Sequence, residues 1–316
     1  MLKIYRNGQD AMLVEEAVIR STSLVMMINP TGEEINQITR DFSLPEKFFL
    51  DSLDKDERPR LERDEHGYLI VLNIPVKNPN SALQNEAPYI TLPLGIIHTE
   101  NNIFLVSKEP HPILMDLIAG EYGVFQTTMR TRVTLLLFKA VAKHYDDHLG
   151  FINDEAGKLQ QKLRASYHNR ELFSLINLNK SLVFFSTSLS ALAILYCQIM
   201  QRRTLKIHDD ERRLLNDILV DIEQSAEVAE MRRESLSNLM DAYAAIVHNN
   251  LNTVLKTLTA IAIVMIIPTM IGSIFSMNVA LPQEENPVST VVIGSVMVGV
   301  SLLLLLVFYV KKYIRL

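Results

Sequence analysis

The chain has 316 residues, of which 48% are hydrophobic and 21% are charged, and its formal net charge at pH 7 is −5. The acidic balance and the absence of a long basic stretch predict that it does not bind nucleic acid. The single cysteine, Cys197, excludes an intrachain disulfide and a multi-cysteine metal site. The first residues, MLKIYRNGQD, contain no apolar core of a secretory signal, so the front half is expected in a reducing cytosol.

Residues 1–125 predict a cytosolic α/β domain. Nine of the twelve prolines occur by Pro112, and between them lie short runs rich in β-branched and aromatic residues, which are typical of strands. A short helix is expected to begin near Pro45, in the sequence PEKFFLDSL. The clearest strand candidates are Tyr68–Ile74, Tyr89–Leu92 and Ile103–Val106.

Long helices are predicted in residues 126–205, a cytosolic helical segment. Neither proline nor glycine occurs in the 110 residues between Gly157 and Pro268, and these two residue types mark most loops. We expect one helix over residues 127–168 and a second over residues 171–203. The apolar centre of the second helix, Leu182–Met200, is interrupted by polar residues, which favours a buried helix over a membrane span.

Two histidines lie four residues apart in the first of these helices. His144 and His148, in the sequence KHYDDHLGF, fall on one helix face. Together with Asp146 or Asp147 they offer ligands for a transition metal. No glutamate stands where an HExxH metalloprotease motif requires it. We favour a solvated helix face, with a metal site as the alternative.

A single stalk helix is predicted over residues 206–275, with its regular pattern beginning near His208. Asp209, Asp210 and Glu211 suit a helix N-terminus because of the helix macrodipole. Apolar residues then recur at helical spacing until the uncharged stretch at Thr257. They are Leu214, Leu215, Ile218, Ile222, Val228, Leu236, Leu239, Met240, Ala244 and Val247. Such a helix is about 100 Å long, which predicts that it is supported in a bundle with copies of itself.

Two uncharged runs near the C-terminus predict two membrane spans. Residues 257–283 and 286–310 carry no charged side chain, in runs of 27 and 25 residues. At about 1.5 Å per residue, either run is long enough to cross a hydrocarbon core of roughly 30 Å. The stalk helix therefore continues into the first span, an outer loop follows at 276–287, and the second span covers 288–310.

The charges that flank the spans predict their orientation. Lys256 stands at the entrance of the first span, and the tail 311–316 contains three basic residues. The connecting loop has no Lys or Arg and carries Glu284 and Glu285. Because positive residues favour the cytosolic side, both termini are expected in the cytosol and the acidic loop outside.

The outer end of the first span carries a recognisable motif, in the sequence IIPTMIGSIFSMNVALPQEENP. A very long helix, two C-terminal spans and a Met-Asn pair entering a short acidic loop together resemble the CorA family of magnesium transporters. The family hallmark is Gly-Met-Asn, usually after an aromatic residue. The matching positions are Phe275, Ser276, Met277 and Asn278, and the resemblance continues at Asp241, Asn252, Lys256, Leu258 and Pro268.

Ser276 departs from the family pattern, which has glycine at this position. Its β-carbon restricts the positive-φ conformations that glycine reaches freely, and its hydroxyl lies beside the filter. The departure is expected to bear on conduction and ion preference rather than on the fold.

The resemblance implies a homopentamer with a cytosolic funnel and an axial pore lined by the first span. It implies a selectivity filter at Ser276, Met277 and Asn278. Oxygen atoms of the Asn278 carboxamides would accept hydrogen bonds from the waters that Mg²⁺ retains. Glu284 and Glu285 are expected to attract cations to the mouth. The implied pore-lining residues are Asp241, Asn252, Leu258, Ile266 and Thr269.

A regulatory cation site is also implied by the resemblance. Asp217 matches the position where the family binds cytosolic Mg²⁺ between subunits, and Asp64 and Glu65 are candidate partners from the front domain. Mg²⁺ held between facing carboxylates would keep the pore shut, and its loss would favour opening. The alternative is that Asp217 is one of many solvated charges on a long helix.

We therefore predict a passive channel or transporter for a divalent cation, first of all Mg²⁺, in the inner or plasma membrane. Its expected partners are copies of itself, membrane lipid and divalent cations. One alternative is a membrane sensor or scaffold that kept the fold but lost conduction, and another is transport of Co²⁺, Ni²⁺ or Zn²⁺. The chain contains no GxxxxGK, GxGxxG or GxSxG motif, so neither an enzyme nor an organic cofactor is predicted.

Overall fold

The structure is a computed structural model that describes residues 1–8, 13–81, 86–165, 169–202, 207–276, 287–311 and 313. The chain divides into two compact units, Met1–Asn238 and Leu239–Leu316. The division falls inside the long helix Asp209–Phe275. The domain boundaries expected at residues 125, 205 and 275 stay predictions.

The elements follow the chain in this order. The strands are β1 (Leu2–Asn7), β2 (Leu13–Glu16), β3 (Leu24–Ile28), β4 (Arg60–Arg63), β5 (Gly67–Lys77), β6 (Tyr89–Thr99) and β7 (Ile103–Ser107). The helices are α1 (Gly32–Phe42), α2 (Glu46–Leu53), α3 (Pro112–Ala119), α4 (Arg130–Ala165), α5 (Asn169–Arg202), α6 (Asp209–Phe275) and α7 (Pro287–Val310).

The described strands form one mixed sheet in the order β2-β1-β3-β7-β6-β5-β4. Strand β3 pairs with β7 in parallel, and the other described pairs are antiparallel. Strands β5 and β6 pair along their whole length, from Gly67 opposite Thr99 to Lys77 opposite Tyr89. This long pair forms the middle of the first unit.

Both faces of β5 are covered by helices. Leu69 and Val71 belong to a core that also contains Ile35 of α1 and Phe48 of α2. Ile70 and its alternate neighbours are buried on the opposite face, where His98, opposite Tyr68 in the sheet, contacts Thr134 of α4. A strand covered on both faces is expected to have a continuous apolar sequence rather than an alternating one.

The predicted strands and the helix near Pro45 are confirmed. Strands β5, β6 and β7 contain the three predicted runs, and Pro45 is the N-cap residue of α2. Strand β6 continues through Pro93, which we did not anticipate. Pro93 lies just outside the stretch from Leu94 to His98 that pairs with β7, so a missing N–H is tolerated there.

Helix α5 is buried against the sheet and α4, which confirms the prediction that it is not a span. By length and composition, α5, α6 and α7 are each apolar enough to cross a membrane. Half of the apolar stretch of α5 is buried, whereas 6% of that of α6 and none of that of α7 is buried. The two C-terminal helices are thus the spans, and the protein is a multi-pass membrane protein.

The stalk helix is one helix, α6, close to the bounds predicted for it. Within the first unit, its apolar pattern is confirmed because Leu215, Ile218 and Ile222 are buried. Arg232 of α6 donates a hydrogen bond to the carbonyl oxygen of Leu149 in α4. This bond ties the stalk helix to α4.

Candidate functional site

The five predicted pore-lining residues lie on one face of α6. At about 100° per residue, they span an arc of roughly 120° around the helix. All five side chains are exposed in the single chain. They are Asp241, Asn252, Leu258, Ile266 and Thr269.

The opposite face of α6 packs towards α7. A groove of about 410 Å³ between the two helices is lined by Val264 and Pro268 of α6 and by Gly294 and Met297 of α7, among others. Ala260, on the same face of α6, is 3% exposed. The predicted pore residues therefore point away from α7.

The chemistry of the exposed face changes along α6. A carboxylate at Asp241 and a carboxamide at Asn252 precede the apolar side chains of Leu258 and Ile266. Beyond them, the hydroxyl of Thr269 donates to the Met265 carbonyl oxygen at 3.0 Å, so its oxygen lone pairs remain acceptors for water. Polar ends offer ligands to a hydrated cation, and an apolar middle can close a path by excluding water.

Ser276 continues the helical hydrogen bonding at the end of the first span. Its N–H donates to the Gly272 carbonyl oxygen at 3.1 Å, and its hydroxyl donates to the Ser273 carbonyl oxygen at 2.9 Å. The described non-glycine residues with positive φ are Thr22, Asn29 and Ser43. Ser276 is not among them, so its backbone adopts a conformation that is open to any L-residue, and the effect of the serine on conduction stays a prediction.

The rest of the predicted filter and mouth lies outside the described residues. This applies to Met277, Asn278, Glu284 and Glu285. Their roles stay predictions, as does the order of filter and acidic loop beyond Ser276.

The predicted regulatory residues lie in the first unit. Asp217 is an exposed residue of α6, and Asp64 and Glu65 lie in the turn between β4 and β5. The Asp64 carboxylate lies 4.0 Å from His66 Nδ1. Within the described ranges, no group of three or more metal-ligating side chains is placed to hold an ion. The predicted pairing of Asp217 with Asp64 or Glu65 runs between subunits and stays a prediction.

The histidine face of α4 is not the solvated surface that we favoured. His144 and His148 are both partly buried. The Tyr122 hydroxyl lies 2.9 Å from His144 Nε2 and donates to Asp116 Oδ2 at 3.3 Å. His148 packs edge-on against Tyr89. No signal in the sequence links Tyr122 to a helix that begins at Arg130, so this contact is a product of tertiary packing.

Burial disfavours the charged form of the histidines in this region. Desolvation lowers the pKa of His144, with the neighbouring His148 adding to the shift and Asp147 opposing it. Desolvation also lowers the pKa of His148, and it lowers the pKa of His111 to about 4. Neutral imidazole is the form that binds metals.

These features define a membrane protein with a large soluble α/β unit, two C-terminal spans and a helix face suited to a cation path. The family model described as "CorA-like Mg²⁺ transporter protein" matches residues 22–312. Because the match covers most of the chain, the protein belongs to the CorA family, and the resemblance seen in the sequence is confirmed.

Similar proteins align along most of their length. The cobalt/magnesium transport protein CorA of Methanocaldococcus jannaschii is 26% identical over 291 residues, which cover 89% of this chain and 87% of that protein. The cobalt/magnesium transport protein CorA of Thermotoga maritima is 23% identical over 305 residues, which cover 93% of this chain and 84% of that protein.

A solved structure confirms the predicted fold class. The complete structure of the CorA magnesium transporter from Methanocaldococcus jannaschii superimposes with a TM-score of 0.85 at 21% identity and covers 99% of both chains. An N-terminal α/β domain, long helices and two C-terminal spans are therefore shared with that protein.

Proposed function

We propose that this protein conducts hydrated Mg²⁺ passively through an axial pore lined by α6, and that cytosolic divalent cations gate the pore. Membership of the CorA family makes the protein a divalent-cation transporter. The observation that carries the finer proposal is the exposed face of α6, which points away from α7. Its polar ends and its apolar centre at Leu258 and Ile266 are suited to binding a hydrated cation and to closing a path.

The ligands available along this path favour a hard cation. Between Asp241 and Glu285 the sequence contains one histidine, His248, and no cysteine. Imidazole and thiolate ligands suit softer metals, whereas carboxylate, carbonyl and water ligands suit Mg²⁺. The two relatives are both named for cobalt and magnesium transport, which supports Mg²⁺ and makes Co²⁺ the first ion to compare with it.

Assembly with copies of the chain is supported by apolar side chains that precede the first span. Val247 is 53% exposed, Leu251 is 55% exposed and Val254 is 63% exposed, although they lie before Lys256 at the expected membrane entrance. A contiguous apolar surface that is not covered by lipid is typical of a protein–protein interface. We propose that the partners are other copies, five in all, as the family resemblance implies.

We place the protein in the inner or plasma membrane, with both termini in the cytosol. The Thr257 hydroxyl lies 3.2 Å from the Tyr313 carbonyl oxygen, so the beginning of the first span and the end of the second are adjacent. Antiparallel spans bring these two ends to one side, and the basic residues around them favour the cytosolic side.

Regulation is assigned to Asp217 within this proposal. An exposed carboxylate on a helix that surrounds a symmetric axis repels its copies, and a divalent cation bound between subunits relieves that repulsion. Partner residues are proposed at Asp64 and Glu65, whose turn lies in the same soluble unit. Abundant cytosolic Mg²⁺ would then hold the subunits in the closed arrangement.

The proposal is tested by Mg²⁺ uptake into proteoliposomes that contain a Mg²⁺-sensitive dye. We expect uptake by the native chain, a loss of at least about tenfold in Asn278→Ala, and a smaller loss in Asn252→Ala. Asn250→Ala is the matched control, because Asn250 lies about 200° around the helix from Asn252. Uptake by this control should equal that of the native chain.

Ser276→Gly separates transport from the scaffold alternative. Equal uptake by native and Ser276→Gly chains would show that serine is a tolerated variation at the filter. A silent native chain beside a conducting Ser276→Gly chain would make this protein a non-conducting scaffold. If neither chain takes up Mg²⁺ although both assemble correctly, the proposal of Mg²⁺ conduction is overturned. Uptake of Co²⁺, Ni²⁺ and Zn²⁺ would then be measured in the same vesicles.

A further inference from the structure

The face of α4 that carries His144 and His148 has the features of a metal site separate from the proposed ion path. Their ring centres lie 6.2 Å apart with the ring planes inclined by 30°. A tetrahedral ion about 2.1 Å from one nitrogen of each ring would bring the ring centres to roughly 5 Å. The ring centres therefore lie about 1 Å further apart than chelation requires, and both side chains must rotate to bind an ion.

Each ring is held by a hydrogen bond of the kind that orients a metal ligand. His148 Nδ1 lies 2.7 Å from the His144 carbonyl oxygen, and because a carbonyl only accepts, this nitrogen carries the proton. The Nε2 atom of the neutral His148 ring therefore has a free lone pair. Metal-binding histidines usually donate their other ring N–H to a backbone carbonyl or a carboxylate.

His144 is oriented by a short chain of polar groups. Its Nε2 atom contacts the Tyr122 hydroxyl, which in turn donates to the Asp116 carboxylate. In either neutral tautomer, His144 keeps one unprotonated ring nitrogen. The carboxylates of Asp116 and Asp147 act electrostatically on this ring, and their negative charge favours a bound cation.

We propose that His144 and His148 bind a borderline divalent metal of the Zn²⁺, Ni²⁺ or Co²⁺ class on α4, through one nitrogen of each ring. Because no described group of three or more ligating side chains exists, water completes the coordination shell. Imidazole suits these metals and not Mg²⁺. The site thus distinguishes transition metals from the hard cation proposed for the pore.

This position couples the site to the stalk helix. Leu149 follows His148 directly, and its carbonyl oxygen accepts the hydrogen bond from Arg232 of α6. A metal bound by His148 lies beside the contact that ties α4 to α6. Binding of a transition metal is therefore placed to influence the helix that lines the pore.

The test is calorimetric titration of the full-length protein in detergent with NiCl₂, in excess Mg²⁺ that occupies sites for hard cations. We expect one Ni²⁺ per chain, with affinity reduced at least about tenfold in His148→Gln and in His144→Gln. His208→Gln is the matched control, since His208 is exposed and lies outside this face. Its Ni²⁺ affinity should equal that of the native chain.

Tyr122→Phe provides a second test that keeps both ligands. It removes only the hydroxyl that orients His144, so Ni²⁺ affinity is expected to fall by less than in the histidine variants. Size-exclusion chromatography shows whether each variant assembles. If His144→Gln does not assemble, the Ni²⁺ affinity of His148→Gln alone tests the proposal. The proposal is overturned if the native chain takes up no Ni²⁺ in excess Mg²⁺, or if His148→Gln binds Ni²⁺ as the native chain does.

Discussion

The two units of this protein place their apolar side chains in opposite environments. In the first unit, the side chains from Leu24 to Met27 have no exposed surface, and Val25 and Met27 pack in a core with Ile35 of α1. In the second unit, Leu303 is 62% exposed and Val291 is 68% exposed. The first unit therefore has a core of its own in water, whereas the second is completed by lipid and, in our proposal, by other copies of the chain.

The largest expected effect is a loss of stability of the first unit in acid, because the buried histidines lie in that unit. Burial lowers the pKa of His98 to about 3 and that of His111 to about 4. The unfolded chain therefore binds more protons, and stability present above about pH 6.5 is lost as the pH falls. Between pH 7.5 and 5 the loss is roughly 2 kcal/mol per ring, or about 4 kcal/mol together.

Chemical unfolding of the full chain in detergent, followed by tyrosine circular dichroism at both pH values, measures this loss. His111→Asn isolates one ring. His111 is the N-cap of α3 and accepts a hydrogen bond from the Ile113 N–H, and asparagine supplies an equivalent cap. This variant should lose the roughly 2 kcal/mol of pH dependence that its own ring contributes, and an unchanged dependence would contradict the assignment.

A charge placed on an exposed apolar residue should have a large effect in the second unit and a small one in the first. Leu303→Asp puts a carboxylate in the second span and is expected to disfavour insertion by about 3 kcal/mol. Val18→Asp is the matched control, because Val18 is 63% exposed in the first unit, and its effect should stay within about 0.5 kcal/mol.

Recovery of each variant in carbonate-washed membranes measures insertion. Leu303→Asp should be depleted from the washed membrane fraction, while Val18→Asp is recovered like the native chain. Equal recovery of the two variants would show that Leu303 does not face the hydrocarbon.

The smallest expected effect concerns packing within the first unit. A β-carbon on Gly95 of β6 would lie 1.8 Å from the Ser52 hydroxyl oxygen of α2, so Gly95→Ala forces helix and strand apart. We expect a loss of about 1–3 kcal/mol in unfolding free energy. Gly150→Ala in α4 is the control, since no atom lies within 4 Å of the added carbon, and it should gain about 0.5–1 kcal/mol.

Unfolding in detergent compares the two glycine variants directly. Stability of Gly95→Ala equal to that of the native chain would mean that α2 moves away from the sheet at no cost. The close approach of α2 to β6 would then not be a feature that the fold depends on.

The outcome at the candidate site differs from residue to residue. The shared face of Asp241, Asn252 and Thr269 was predictable because spacing along one helix determines which side chains lie together. The conformation of Ser276 was not, because glycine in related proteins does not reveal which φ this chain adopts. The burial of His144 was also missed, since it depends on Tyr122 and other residues that are remote in sequence.

The sequence by itself determined the long helices, the two spans and the family motif. These features depend on local composition and helical period, which act over neighbouring residues. Only the tertiary structure decided that β3 pairs with β7 in parallel, that Gly95 accommodates Ser52, and that the histidine face of α4 is partly buried. Each of these depends on contacts between segments far apart in the chain, which local pattern does not specify.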